Sequence, residues 1–172
     1  MDGLEERARA IRLVCTDVDG VLTTGALHYG TDPRHTKTFN VRDGAGIKWL
    51  QRCRIPVAFI SGLDSPATVH RAWDLKVEDC FVGHLVKGPV LDQLCAKYGV
   101  RPEEVAHVGD DLADLPLFRR VGLACCPRDA VAEVREASHW VVPVDGGQGV
   151  FRAVAEAILK AQGLWEGIVA SY

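Results

Sequence analysis

Six short apolar runs punctuate the chain: IRLVCT (11–16), PVAFIS (56–61), EDCFVG (78–83), EVAHVG (104–109), VGLACC (121–126) and HWVVPV (139–144). Runs of this length with little polar alternation predict strands buried on both faces. Between them, apolar residues recur at helical spacing over 44–51, 64–73, 88–98, 111–119, 129–136 and 149–162. The second of these opens with Asp64-Ser65-Pro66, a cap followed by a proline in the first turn. The third stops at Gly99, as a C-terminal cap does. Strand and helix alternate with short links, which predicts an α/β fold: a doubly wound, mainly parallel sheet in a single domain over 1–172.

One stretch breaks the alternation. VLTTGALHYGTDPRHTKTFNV (21–41) has alternating apolar residues around a Gly-Thr-Asp-Pro turn, which predicts a β-hairpin projecting from the sheet edge. Its outward residues, Leu27, Tyr29 and Phe39, would be poorly covered in a monomer, so the ribbon is expected to meet a partner.

The polar residues gather where the strands end. Asp17 and Asp19 follow the first run, Ser61-Gly62 closes the second, Lys87 precedes the helix at 88, and GDDLAD (109–114) follows the fourth. A parallel sheet brings all of these to its carboxyl edge, where ligands bind at the topological switch point. Asp17, Asp19, Asp110, Asp111 and Asp114 would then crowd around Lys87, the one obvious cation among them. Each carboxylate raises its neighbours' pKa, so the cluster calls for more positive charge. A hard divalent cation held by oxygen ligands supplies it, and Mg²⁺ is the natural choice.

Bulk composition adds only exclusions. The 172 residues are 48% hydrophobic and 25% charged, ordinary for a globular protein. The formal net charge of −3 argues against a nucleic-acid surface, and no apolar run is long enough to cross a bilayer. Six cysteines without a C-x-x-C pair read as reduced, buried thiols, and the charged start of the chain lacks a signal peptide's apolar centre. A cytoplasmic protein is expected.

DVDGVLT, ISG, a lone lysine and GDDLADL, in that order, resemble the four motifs of the haloacid dehalogenase-like phosphatases, whose fold is Rossmann-like. The resemblance implies that Asp17 is the nucleophile and Asp19 the general acid and base. It implies that Ser61, Gly62 and Lys87 bind phosphoryl oxygens, with Mg²⁺ on Asp17, Asp110 and the Asp19 carbonyl. Asp114 would orient Lys87, and Asp111 would hold metal-bound water or simply cap the next helix. With 41 residues between Asp19 and Ser61 and 22 between Lys87 and Asp110, there is no room for a cap domain.

TGALHYG, KTFNVRDGAGIKWL and GGQGVFRAVAEAILKAQG resemble the capless 3-deoxy-D-manno-octulosonate 8-phosphate phosphatases. That family implies a homotetramer whose hairpins build a central barrel, with Lys37, Arg42 and Asp43 near the sugar-acid phosphate. Arg42 and Asp43 could equally form a salt bridge or cap before the helix at 44. Two positions depart from the family pattern: Leu63 follows Gly62, and Gln148 interrupts the late glycines, where arginine is usual at both. Relatives acting on nine-carbon sialic-acid-type 9-phosphates share the fold and these motifs; a non-catalytic assembly domain, like the phosphatase-like module of some sialic-acid-activating synthetases, is disfavoured because both aspartates are retained. A receiver-type signalling domain would need its phospho-acceptor after the third strand, where VGHLVKG has none. A phosphatase for nucleic-acid ends or phosphoproteins is disfavoured by the acidic balance and the hairpin. His107, inside an apolar strand, reads as a core histidine.

Overall fold

A computed structural model describes residues 2–31 and 36–172. Six parallel strands form one sheet: β1 (Leu13–Thr16), β2 (Val57–Ile60), β3 (Asp79–Phe81), β4 (Val105–Val108), β5 (Leu123–Cys126) and β6 (Trp140–Val141). Their order is β3-β2-β1-β4-β5-β6. The chain winds outward from β1 to β3, then returns to lay β4 on the other side of β1. This makes β1/β4 the switch point, with Cys15 opposite His107 and Thr16 opposite Val108.

Alternation along the strands feeds two cores. Val14, Val57, Phe59, Ala106, Val108, Leu123 and Cys125 face one side. They are covered by α1 (Asp2–Arg9), α2 (Val41–Arg52), α3 (Pro66–Asp74) and α7 (Val150–Ala161). Leu13, Cys15, Ala58, Ile60, Ala124 and Cys126 face the other side, beneath α4 (Gly88–Tyr98), α5 (Leu115–Phe118) and α6 (Ala132–Ala137). Close packing of α2 on α7 depends on Gly46, where a Cβ would lie 3.1 Å from the Arg152 Cα and 3.2 Å from the Ala155 Cβ.

The six expected strands all form, trimmed at their ends, and the expected helices shift in instructive ways. α2 starts at Val41 rather than 44 because the Asn40 side chain accepts from the Arg42 N–H at 2.9 Å and caps it. The helix expected over 111–119 divides into a 3₁₀ turn, Leu112–Asp114, and α5, whose Pro116 has no N–H to continue the turn's bonding. Gly99 caps α4 in the left-handed conformation, at φ 60°. A helix α8 (Trp165–Val169), not foreseen, docks the C-terminal tail on its own chain. Trp165 meets Trp49 edge-on at 5.3 Å between ring centroids, and the Trp49 indole N–H donates to the Tyr172 hydroxyl at 3.1 Å.

The expected hairpin is reduced, among the described residues, to one antiparallel bridge between His28 and Thr36. Asp32 and Pro33 of its turn lie outside the described residues. Tyr29 is 76% exposed, as anticipated. Phe39 is not outward: it packs on the core, with the Arg71 guanidinium 5.6 Å above its ring. No helix among the described residues is long and apolar enough to cross a membrane.

Candidate active site

The carboxyl ends of β1, β2 and β4 meet the start of α4 around a cavity of about 240 Å³. It is lined by Asp17, Asp19, Gly62, Lys87, Asp110 and Asp111, with Leu27, Leu63 and Leu85 among the apolar neighbours. A larger cavity, about 370 Å³, lies at the amino end of the sheet, where Glu78 is the one carboxylate in its lining.

β1 delivers Asp17 directly into the turn that follows it. The Asp17 Oδ1 accepts from the Val18 N–H at 2.6 Å, and Oδ2 lies 2.8 Å from the Lys87 ammonium. Lys87 precedes α4 and is 1% exposed, an arrangement that only paired carboxylates make tolerable. Its second partner is Asp114, fully buried, with Oδ1 at 2.6 Å. Burial opposes the Lys87 charge, but Asp114 and Asp17 more than offset it and hold the ammonium above its ordinary range. Burial conversely pushes the Asp17 carboxyl up, with Lys87 pulling against it.

Asp19 sits two residues on and partly exposed. Its Oδ2 accepts from the Lys37 ammonium at 2.7 Å and lies 3.5 Å from the Ser61 hydroxyl. Lys37 is therefore placed on Asp19, with a second contact to the Thr68 hydroxyl at 3.1 Å. Ser61 is buried after β2, and its hydroxyl also donates to the Leu63 carbonyl at 3.2 Å. Asp110 follows β4, and its carboxylate lies over Gly20, where a Cβ would fall 1.9 Å from Oδ2. Gly20 also holds φ at 86°, so this close approach needs glycine twice over.

The carboxylate oxygens of Asp17, Asp110 and Asp114 lie within 4.8 Å of one another. Asp114 is already engaged: Oδ1 by Lys87 and His107, Oδ2 by the N–H groups of Asp110 at 3.1 Å and Asp111 at 3.4 Å. By contrast, Asp110 Oδ1 and Asp19 Oδ1 are buried with no partner among the described residues. Burial, then the charges of Asp17 and Asp114, push the Asp110 carboxyl up to about 8. Unpartnered oxygens, an all-oxygen donor set and crowded negative charge fit a hard cation such as Mg²⁺. Of the three carboxylates in the cluster, Asp17 and Asp110 could hold it, Asp114 being already engaged.

The remaining expected residues are engaged in other ways. The Asp111 side chain accepts from the Leu112 N–H at 2.7 Å, a cap on the 3₁₀ turn. Arg42 is exposed at the start of α2. Asp43, 2% exposed, points to the start of α7 rather than into the cavity, accepting from the Arg152 N–H at 2.9 Å. Of the two departures from the arginine pattern, Leu63 lines the cavity and Gln148 is exposed. The glycine stretch around Gln148 braces the site loop, with the Gly147 N–H donating to the Val21 carbonyl at 2.9 Å.

An Asp-x-Asp turn at the central strand, a hydroxyl on the next strand, a buried lysine and an acid on the switch strand define the haloacid dehalogenase-like hydrolases. That family matches residues 73–154 of this chain. A 3-deoxy-D-manno-octulosonate 8-phosphate phosphatase from Haemophilus influenzae is 42% identical over 160 residues, covering 93% of this chain and 89% of the relative. The chain belongs to this phosphatase family within the haloacid dehalogenase-like hydrolases. The solved phosphatase from Moraxella catarrhalis, in complex with a magnesium ion, a phosphate ion and a KDO molecule, is 33% identical. It aligns with a TM-score of 0.97 over 99% of this chain and 98% of that one. The cobalt-bound form from Haemophilus influenzae aligns with a TM-score of 0.89 at 42% identity, over 92% of this chain and 93% of that one.

Proposed function

We propose that the protein is a Mg²⁺-dependent phosphomonoesterase that hydrolyses 3-deoxy-D-manno-octulosonate 8-phosphate to the free sugar acid and phosphate. The observation that carries this reading is the Asp17–Lys87–Asp114 line of contacts, 2.8 and 2.6 Å long, beside the unpartnered oxygens of Asp19 and Asp110. High-coverage relatives bear the octulosonate name, which favours the eight-carbon substrate over nine-carbon sugars and over an inactive assembly role.

The Asp17 carboxylate attacks phosphorus and forms an acyl-phosphate bond while the bond from phosphorus to the sugar oxygen breaks. Asp19 gives that oxygen its proton, then takes one from the water that attacks the acyl phosphate and frees Asp17. Lys37, 2.7 Å from Asp19, stabilises the carboxylate left after the first proton transfer. Lys87 has three protons and two carboxylate partners, which leaves one N–H for a phosphoryl oxygen; Ser61 and the Gly62 backbone supply further contacts. Asp17, Asp110 and the Asp19 carbonyl would hold Mg²⁺, which would supply positive charge beside the phosphoryl oxygens so that one anion can approach another.

The active form is a homotetramer joined through the 21–41 ribbon, which covers the exposed Tyr29 and closes an otherwise open site. Arg42, at the exposed start of α2, faces substrate or a neighbouring subunit in that assembly. Six free thiols suit a reducing cytoplasm.

Phosphate release from the octulosonate 8-phosphate and from nine-carbon 9-phosphates tests this directly, with Mg²⁺ or with chelator. Preference for the octulosonate ester, lost with chelator and reduced at least about 10³-fold in Asp17→Asn, is expected. Preference for a nine-carbon ester would reassign the substrate, and release that persists in Asp17→Asn would remove the covalent mechanism.

A further inference from the structure

One buried titratable side chain meets the site and has no part in the reaction above. His107 lies in the middle of β4, paired to Cys15 on one side and Ala124 on the other, and is completely buried. Its ring stands edge-on to Phe118, 5.8 Å between centroids and 77° between planes. Its Nε2 is 2.7 Å from Asp114 Oδ1, the same oxygen that receives the Lys87 ammonium.

We propose that His107 is a positioning residue, donating from Nε2 to Asp114 Oδ1 and so fixing the carboxylate that aims Lys87 at Asp17 and the phosphoryl group. This rests on the phosphoryl-transfer reading above.

Hydrogen-bond accounting supports the direction of the bond. Asp114 faces the Lys87 ammonium at 2.6 Å and two backbone N–H groups, surroundings that keep it ionised. An ionised carboxylate only accepts, so Nε2 carries the proton. The other ring nitrogen, Nδ1, is then a bare acceptor, and it is buried without a partner among the described residues. A histidine placed for core packing alone would bury that nitrogen at a cost an apolar ring avoids. The position makes sense for what Nε2 does.

The consequence for Lys87 follows from how Asp114 is held. Two backbone N–H groups fix Oδ2, and His107 and Lys87 share Oδ1. Of these four donors only Lys87 sits on a long, flexible side chain. His107 is set in the sheet, so its donation ties Oδ1 to the most rigid part of the molecule and takes up part of its negative charge. Without that donation, Oδ1 would concentrate its charge on Lys87 and draw the ammonium away from Asp17, 2.8 Å distant on the other side. The third N–H of Lys87 would then be less well aimed at a phosphoryl oxygen as charge develops there.

The test compares native enzyme with His107→Phe, which keeps the ring packing but removes the donor, and with His107→Gln, whose amide N–H can reach the same acceptor. Phosphate release is followed with Mg²⁺ present, on the octulosonate ester and on p-nitrophenyl phosphate. In His107→Phe, kcat is expected to fall by about tenfold to a hundredfold on both esters, the range typical of groups that orient site ligands. KM should change by less than about threefold and the thermal midpoint should not fall, because the loss is in placing Lys87 for the transition state. His107→Gln should recover most of the lost kcat. Native kcat in a folded His107→Phe enzyme overturns the assignment, as does a His107→Gln enzyme no faster than the phenylalanine variant. Should His107→Phe fail to fold, long-range proton–nitrogen NMR on the native enzyme decides the matter. A protonated Nε2 with a bare Nδ1 is expected, and a protonated Nδ1 with a bare Nε2 overturns the proposal. Native enzyme inactive on both esters would overturn the phosphatase reading itself. Native activity with an unimpaired His107→Phe variant overturns only the role of His107.

Discussion

At the residue scale, Asp110 shows how one carboxyl reports on the whole cluster. Its ordinary value of 3.8 is pushed up to about 8, first by burial and then by the facing charges of Asp17 and Asp114. A cation must therefore displace a proton from Asp110 throughout the physiological range, because a protonated carboxyl is a poor ligand. Mg²⁺ affinity is expected to rise about tenfold per pH unit up to about pH 8 and to level off above it. Calorimetric titration in buffers of different ionisation enthalpy checks this, since the heat then includes one released proton. An affinity flat between about pH 6 and about pH 8 would show that Asp110 ionises without the metal. Asp114, a few residues away, shows the opposite outcome. Although burial pushes its carboxyl up, His107 and Lys87 win, and it is held down at about 2. Like residue types diverge here because their partners differ.

At the element scale, Asp43 joins two helices. It lies in the first turn of α2, and its carboxylate receives the N–H groups at the start of α7, including Arg152 at 2.9 Å. Burial nevertheless outweighs those donors and pushes its carboxyl up to about 6 from 3.8. The folded protein thus binds this proton more tightly than the unfolded chain does. The resulting stability is complete below about pH 4 and is lost as pH rises through about 6, amounting to about 3 kcal/mol. In Asp43→Asn the amide oxygen still accepts from α7, so the variant should keep its stability near pH 7 and lose this part of the pH dependence. Urea unfolding across that interval gives the difference between the two proteins. An unchanged slope would mean that Asp43 is ionised in both states.

At the scale of the whole molecule, the two-sided sheet accounts for the inside of the protein but leaves parts of its outside unexplained. Tyr29 is 76% exposed, Trp73 75% and Val86 75%. In the proposed tetramer the Tyr29 ribbon is covered. Native protein should elute at about four times the chain mass, and Tyr29→Asp should dissociate it, because a charge in an apolar interface loses its hydration. Light scattering after gel filtration reads both, and a native monomer would end the tetramer reading. Phosphate release by the dissociated variant then shows whether the site depends on its neighbours.

The amino-acid sequence alone determined the order of the six strands, most of the helices between them, and which polar residues gather at the carboxyl edge. These are carried by short-range signals: apolar runs, caps such as Gly99, and acids placed where strands stop. Parallel topology converts those positions into one edge, which is why strand ends in the sequence already group Asp17, Asp19, Ser61, Lys87 and Asp110. Tertiary structure decided what depends on distance between elements. Asp43, next to motif residues, turns to α7 because the packed helices bring the Arg152 N–H within hydrogen-bonding reach of its carboxylate. Phe39, outward by strand alternation, turns inward because its ribbon pairs through only one bridge among the described residues. His107 read as core, and it is buried, yet its Nε2 reaches Asp114 because the turn after β4 doubles back beneath the strand. The Gly20–Asp110 approach joins residues far apart in the chain, and it is the β1–β4 neighbourhood that brings them together. Periodicity and caps are local and can be read along a line; which side chain meets which across a sheet is set by packing in three dimensions.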